Sequence, residues 1–317
     1  MQNDGKAVIH ILNGESSLAL FEQSGIAGEV VVWQECLCAG PVGQGFGTDF
    51  KELRAAFIKE VYGEESYATK IAPLFETFTG ENKWDKVMLW FEFDLFCQIN
   101  LLFALGFLAE FAPETPIYLV CPDRFDGIED FRGLGQLSPQ QFASLLSEAK
   151  VLDSGSLAWA AKVLEAYREG NEIELLELEK EDSGDLDLSR QALNLHFQLY
   201  PSVENGLNRI EQDLLEAVVQ GATDPLTVFR AWWAGDPGYG MGDLQIFDYL
   251  KGLMPHWIEQ IEGKLEMTAA AKGLLAGEGN AWDADKKPYW LGGRQVVNGW
   301  DFCWSRTEKR LELKKNK

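Results

Sequence analysis

Residues 7–16 read AVIHILNGES: six near-continuously apolar residues, then the turn pair Asn13-Gly14 and Glu15-Ser16. A short apolar run closed by a turn is what a strand buried on both faces of a parallel sheet requires. Three runs of the same kind follow: EVVVW at 29–33, KVMLWF at 86–91 and PIYLVC at 116–121. Between them the apolar spacing predicts helices over 16–24, 49–62, 66–78 and 95–111. Strand–helix–strand alternation implies crossover connections and an open parallel sheet. The expected class is α/β, with a doubly wound, Rossmann-like domain over residues 1–150.

Beyond it, Ser138-Pro139 opens a helix over 138–148, with Ser as cap and Pro in the first turn. Another helix is expected at 157–169. The stretch EIELLELEKEDSGDLD, 172–187, holds eight acids and one Lys, and reads as a solvated face, a loop, or a short helix or strand. Residues 151–205 are thus expected to be a helical, acidic connector, with a last helix over 194–200 ended by Pro201. From 206 to 317 the pattern changes. Helices over 208–219, 224–233, 244–254 and 268–276 precede two aromatic β-like runs, PYWLGG (288–293) and DFCWSR (301–306). Asn298-Gly299 between those runs is a hairpin signal. Three helices, a short fourth and a hairpin predict a smaller winged-helix-like domain.

A chain of 317 residues suits two domains. Its 28 Lys and Arg against 50 Asp and Glu give a net charge of −22, which repels nucleic acid and anionic membrane. Residues 286–317 oppose that trend with nine basic residues and three acidic ones. However, the helix that would read DNA bases, 243–254, carries one Lys, two Asp and no Arg, so nucleic acid is not the expected partner. No apolar run is long enough to span a membrane. The longest, 99–111, is interrupted by Asn100, Gly106 and Glu110 and reads as a buried helix. The first residues lack the basic and apolar regions of a secretory signal. Five cysteines, at 36, 38, 97, 121 and 303, include no CxxC pair, and an odd count suits reduced thiols in the cytoplasm. Seven of the eleven tryptophans fall in the last third, where they suit an intrachain seam or a homo-oligomer surface.

Ligands of open α/β sheets bind outside the carboxyl ends of the strands. That rule gathers Asn13, Gly14, Glu15 and Ser16 after the first strand, Glu35 after the second, and Glu92 and Asp94 after the third. Convergent carboxylates either share protons or hold a divalent cation. Glu92, Asp94 and Glu35 are therefore the candidate acid–base groups, Glu92 and Asp94 the candidate metal ligands, and residues 13–16 the candidate ligand-positioning turn. Each also has a plainer reading: Asn-Gly as a turn, Ser16 or Ser17 as a cap, Glu35 in a solvated loop, Asp94 as the cap of helix 95–111. Neither GxGxxG nor a P-loop occurs. The GPVGQGFG loop, 40–47, is flexible enough to approach a phosphate, yet no Lys or Arg lies between Lys6 and Lys51. His10, inside the first strand, reads as a core residue, and Cys97 has no histidine near it in sequence.

Four strings, HILNGES (10–16), WFEFDLFCQINL (90–101), LGQLSPQQF (134–142) and GYGMGDLQ (238–245), together resemble a bacterial family. Its N-terminal domain is catalogued only as domain of unknown function number eighteen-thirty-five. The resemblance spans nearly the whole chain but implies no particular reaction. Many relatives carry His in the motif where this chain has Phe93, which removes an imidazole base from that position. The expectation is a small polar ligand, nucleotide-like and metal-assisted, at the sheet edge. The alternative is a ligand-responsive regulator or adaptor acting through the C-terminal domain on a protein or DNA partner. Whether the edge performs a reaction is open at this level.

Overall fold

The four apolar runs pair with one another. β1 (Val8–Asn13), β2 (Glu29–Trp33), β3 (Lys86–Trp90) and β4 (Ile117–Val120) are parallel, and β5 (Lys150–Val151) adds an antiparallel edge. The order across the sheet is β2-β1-β3-β4-β5. Leu12 pairs with both Val32 and Trp90, so the carboxyl ends of β1, β2 and β3 stand level. The fifth strand departs from the all-parallel expectation, and its two residues are too few to show a period in sequence. The computed structural model describes residues 7–80, 84–282, 284, 287–297 and 302–313.

Strand alternation sends Leu12, Met88, Trp90 and Val120 to one face, where they pack with Phe21 and Phe142. Phe21 lies on α1 (Leu18–Ser24). α2 (Thr48–Tyr62) and α3 (Tyr67–Thr79) lead to β3, and α4 (Leu95–Phe111) leads to β4. Ile9, Ile11, Val87 and Leu89, of opposite parity, are fully buried. α4 is nearly all apolar and nearly all buried because the sheet and α6 (Ser154–Glu169) both cover it. Gly106 allows the second approach, since a Cβ there would overlap Leu164 of α6. Phe142 lies on α5 (Pro139–Ser144), which starts with the predicted Ser138 cap and packs on α1.

The chain divides into two compact units, 1–192 and 193–317, rather than at 150 and 205. Most of the expected connector, residues 151–192, belongs to the first unit. Trp159 and Leu164 of α6, and Leu175 and Leu178 of α7 (Glu172–Leu178), are core residues. Most of the acids of 172–187 therefore decorate a packed helix and the turn after it. The boundary falls within α8 (Asp187–Phe197).

In unit 2, α9 (Arg209–Val219), α10 (Pro225–Ala234) and α11 (Asp243–Leu253) pack on one another. A hairpin follows at once, β6 (Ile258–Ile261) and β7 (Lys264–Met267), turning at Glu262-Gly263 with both φ positive. That hairpin was not expected from the sequence. After α12 (Ala269–Leu275), β8 (Tyr289–Leu291) pairs with β9 (Arg294–Val296), and β10 (Phe302–Ser305) with β11 (Arg310–Leu313). The two aromatic runs expected to form one hairpin thus belong to two. Asn298-Gly299, Lys286, Trp300 and the final lysines lie outside the described residues.

Candidate functional site

The strand order reverses between β1 and β3, and the side chains delivered by their carboxyl ends meet there. Asp94 is the N-cap of α4: its Oδ1 accepts from the Cys97 amide at 2.8 Å. Glu92, two residues earlier, accepts from the Leu134 amide at 2.5 Å through Oε1, and its Oε2 lies 3.6 Å from Cys97 Sγ. Asn13 Nδ2 donates to Cys97 Sγ at 2.9 Å, and Asn100 Nδ2 donates to Asn13 Oδ1 at 2.9 Å. Asn100 also donates to the Glu35 carbonyl at 2.7 Å and accepts from the Leu37 amide at 3.1 Å. One buried amide on α4 therefore fixes which way Asn13 presents its donor.

Gly133 completes the pocket around Glu92. Its φ is +152°, and a Cβ there would overlap Glu92 Oε1. Burial pushes the Glu92 carboxyl above the ordinary carboxylate range, against the Leu134 and Cys97 hydrogen bonds. Burial likewise raises the Cys97 thiol well above its usual range, and the neighbouring Asp94 and Glu92 add to the effect. A cysteine in the first turn of a helix is often acidified. Here burial, with two carboxylates beside it, outweighs that effect, and Cys97 is a thiol.

Glu92, Asp94 and Cys97 each offer a ligand atom within 4.8 Å of the others. One oxygen of each carboxylate is already engaged by a backbone amide. Two oxygens and a sulfur fit a zinc-like ion, whereas magnesium and calcium take oxygen-only shells. Coordination would have to remove the Cys97 proton, so affinity would rise with pH.

The other predicted residues are placed differently. Glu35 is turned away from this cluster. Its carboxylate is paired with Arg54 at 3.0 Å, receives the Tyr67 hydroxyl and is buried, so it is neither a solvated loop residue nor a third carboxylate of the cluster. Arg54 also donates to the carbonyls of Cys36, Ala39 and Pro41 at 3.1, 2.8 and 3.1 Å. The glycine-rich loop is therefore clamped from within rather than free to wrap a phosphate. Gly14 (φ +83°) bonds its amide to Trp33 O at 3.1 Å, tying the first turn to the end of β2. Glu15 and Ser16 are exposed on the short 3-10 turn Glu15–Ser17, and no serine side chain caps it or α1. That turn lies against Leu134–Gln136, the segment that holds Glu92. His10 is a core residue: Nδ1 accepts from Trp90 Nε1 at 3.0 Å, and Nε2 meets Ala27 O at 3.3 Å. Phe93 packs on Phe131.

Sequence reasoning missed three residues of α4. Cys97, Gln98 and Asn100 were read as parts of an apolar helix. The signal was there, since buried amides in such a helix must find partners. Gln98 Nε2 donates to Glu92 O at 2.6 Å and to Cys121 Sγ at 3.2 Å, while its Oε1 accepts from Ser189 at 2.6 Å. It also lines a cleft of about 360 Å³ at the carboxyl end of β4, with Asp123, Arg124, Lys150 and Asp185 around it. Lys150 and Asp185 face each other at 3.9 Å.

No protein-family model matches the chain, and no curated protein does. Among solved structures, the DNA-binding, cleavage and re-ligation domain of Plasmodium falciparum topoisomerase II is similar at 9% identity and a TM-score of 0.47. The alignment covers 99% of this chain and 55% of that one, so the chain spans about half the length of this neighbour. A likeness of that size carries neither fold nor function. No helix among the described residues is long and apolar enough to cross a membrane.

Proposed function

We propose that unit 1 binds a small polar ligand at the carboxyl edge of its sheet, nucleotide-like in character and assisted by a divalent metal. The observation that carries this reading is Gln98, which lines the 360 Å³ cleft while bonding the Glu92 carbonyl. Cleft and carboxylate cluster thus share a wall, and the volume lies in the ~300–1,000 Å³ range of small-molecule sites. Arg124 and Lys150 are the basic groups of a lining that also carries Asp123, Glu148, Asp185 and Asp187, and they would meet a ligand's anionic groups where the turns after β1 and β2 have no cation. Glu92, Asp94 and Cys97 would hold the metal, and Asn13 would orient the ligand. A doubly wound, Rossmann-like reading of the domain belongs to the same proposal, supported by the strand reversal between β1 and β3. So does membership of the family named above: three of its four strings supply Asn13, Glu92 with Asp94, and Leu134. The compartment proposed is the cytoplasm, where the five free cysteines stay reduced.

The test is a thermal-shift screen of nucleotides and sugar phosphates with Zn²⁺, Mg²⁺ or neither. The expected result is a ligand-dependent rise in Tm that needs metal and is lost in Glu92→Gln and Gln98→Ala. Absence of any shift, or a shift undiminished in both variants, overturns the proposal.

A second reading, a regulator or adaptor acting through unit 2, is favoured by the hairpin that follows three mutually packed helices, a winged-helix-like order. Its exposed tip carries Glu259, Glu262 and Glu266 against Lys264, which suits a protein partner over DNA. Exposed Leu226 and Trp233 on α10 offer apolar contact to that partner or to a second copy. This reading predicts a partner in pull-downs that is lost when the chain is truncated after residue 205. Retention by the truncated chain overturns it.

A further inference from the structure

Unit 2 holds a second cleft, of about 410 Å³, and in a chain of net charge −22 its charged lining is wholly basic: Arg209, Arg306 and Lys309, beside Trp304 and Gln198. We propose that this cleft binds a small phosphorylated anion, a site separate from that of unit 1. Arg306 carries the inference. Its Nη2 donates to Asn205 Oδ1 at 3.1 Å and to Leu207 O at 3.3 Å, both neutral acceptors. Among the described residues no carboxylate lies within ion-pair distance of its guanidinium. Glu204, which acts on it through space, turns Oε1 to the amides of Arg306 and Thr307 at 3.0 and 3.2 Å and closes the β10–β11 turn instead. A half-buried guanidinium anchored by carbonyls keeps its charge and leaves its remaining N–H groups for a ligand. Burial pushes the Arg306 pKa down, against the through-space attraction of Glu204, Glu216 and Asp213.

Arg209 is arranged alike. Its Nε is 2.8 Å from both oxygens of Asp213, while its two Nη groups make no hydrogen bond among the described residues. Lys309 is exposed, with no side-chain partner among them. Glu216 acts on both arginines through space, but its Oε1 accepts from Gln212 at 2.6 Å. With Asp213 set against Arg209, Arg306 and Lys309 are the cations without a contacting carboxylate. Two such charges match a phosphate monoester, which carries about −1.5 to −2 near neutral pH. Planar guanidinium forks also match phosphate oxygens in geometry.

The experiment is calorimetric titration of the full chain with inorganic phosphate and, in a parallel arm, with malonate, at constant ionic strength. Saturable phosphate binding is expected, at least tenfold weaker in Arg306→Gln and in Lys309→Gln, with malonate at least tenfold weaker than phosphate. Lys309→Gln removes no side-chain hydrogen bond or ion pair among the described residues, so its thermal unfolding should match that of the parent and loss of binding cannot be misfolding. Three results overturn the proposal: no saturable binding, phosphate binding undiminished in both variants, or malonate bound as tightly as phosphate. An Arg124→Gln arm reports the cleft of unit 1. Binding lost there but kept in Arg306→Gln assigns the phosphate to unit 1 and also overturns it.

Discussion

Arg54 Nη2 lies 3.0 Å from Glu35 Oε2, with the two side chains 0% and 4% exposed. The same guanidinium collects three carbonyls of the loop after β2, so a single cation both neutralises Glu35 and holds that loop's shape. Arg54→Ala would leave Glu35 buried without its counter-charge. Breaking one side of such a pair costs about 3–5 kcal/mol. Urea unfolding should show that loss, and a change below about 1 kcal/mol would contradict the role given to Arg54.

His10 makes the fold acid-sensitive. Burial lowers its pKa to about 4, so the ring stays neutral in the folded chain while the unfolded chain takes up a proton near pH 6.5. The unfolded state binds more protons between those values, and stability falls as pH drops from about 6.5 to about 4. The effect is on the order of 2 kcal/mol. His196, also lowered to about 4 by burial, acts in the same direction in unit 2. His10→Gln should flatten part of the slope in melts across that window, whatever it does to absolute stability. An unchanged slope would remove His10 as its source.

Gly133→Ala tests the pocket that holds Glu92. The new methyl meets Oε1, and the positive φ adds backbone strain, so a loss of about 1–3 kcal/mol is expected. In a Glu92→Ala background the overlap is gone and only the strain remains. The double-mutant cycle should therefore show a coupling of about 0.5–3 kcal/mol. Strict additivity would mean that Gly133 and Glu92 do not constrain each other.

Glu92 itself should work against stability. A carboxyl whose folded pKa is raised destabilises the fold once pH exceeds its ordinary value, because the unfolded chain ionises first. Glu92→Gln should gain on the parent protein as pH rises from about 4.5 to 7, while losing the ligand-dependent shift. Melting curves of both proteins at the two ends of that range decide it. A variant less stable than the parent at neutral pH would show that the carboxylate serves the fold rather than a ligand.

The parallel strands and their crossover helices were legible because each strand is an apolar run of about five residues closed by a turn. Asp94 was legible in both its readings, cap and candidate ligand, and the structure uses it as the cap. Glu35 was not, because sequence distance hides that Arg54, nineteen residues later on α2, reaches back to it. Cys97, Gln98 and Asn100 were hidden by their apolar neighbours: periodicity reports the face a helix buries, and α4 buries every face. The β6–β7 hairpin escaped because its β6 half, IEQI, exposes three of its four residues and lacks a run to read.

α4 has one further consequence. Its cover comes from the sheet on one side and from α6 on the other, and α6 begins more than forty residues after α4 ends. A ribosome adding ~5–20 residues per second leaves that greasy rod half-wrapped for seconds after it emerges. The helix that carries Cys97, Gln98 and Asn100 is thus the segment a nascent chain must shield from chaperone capture and self-association.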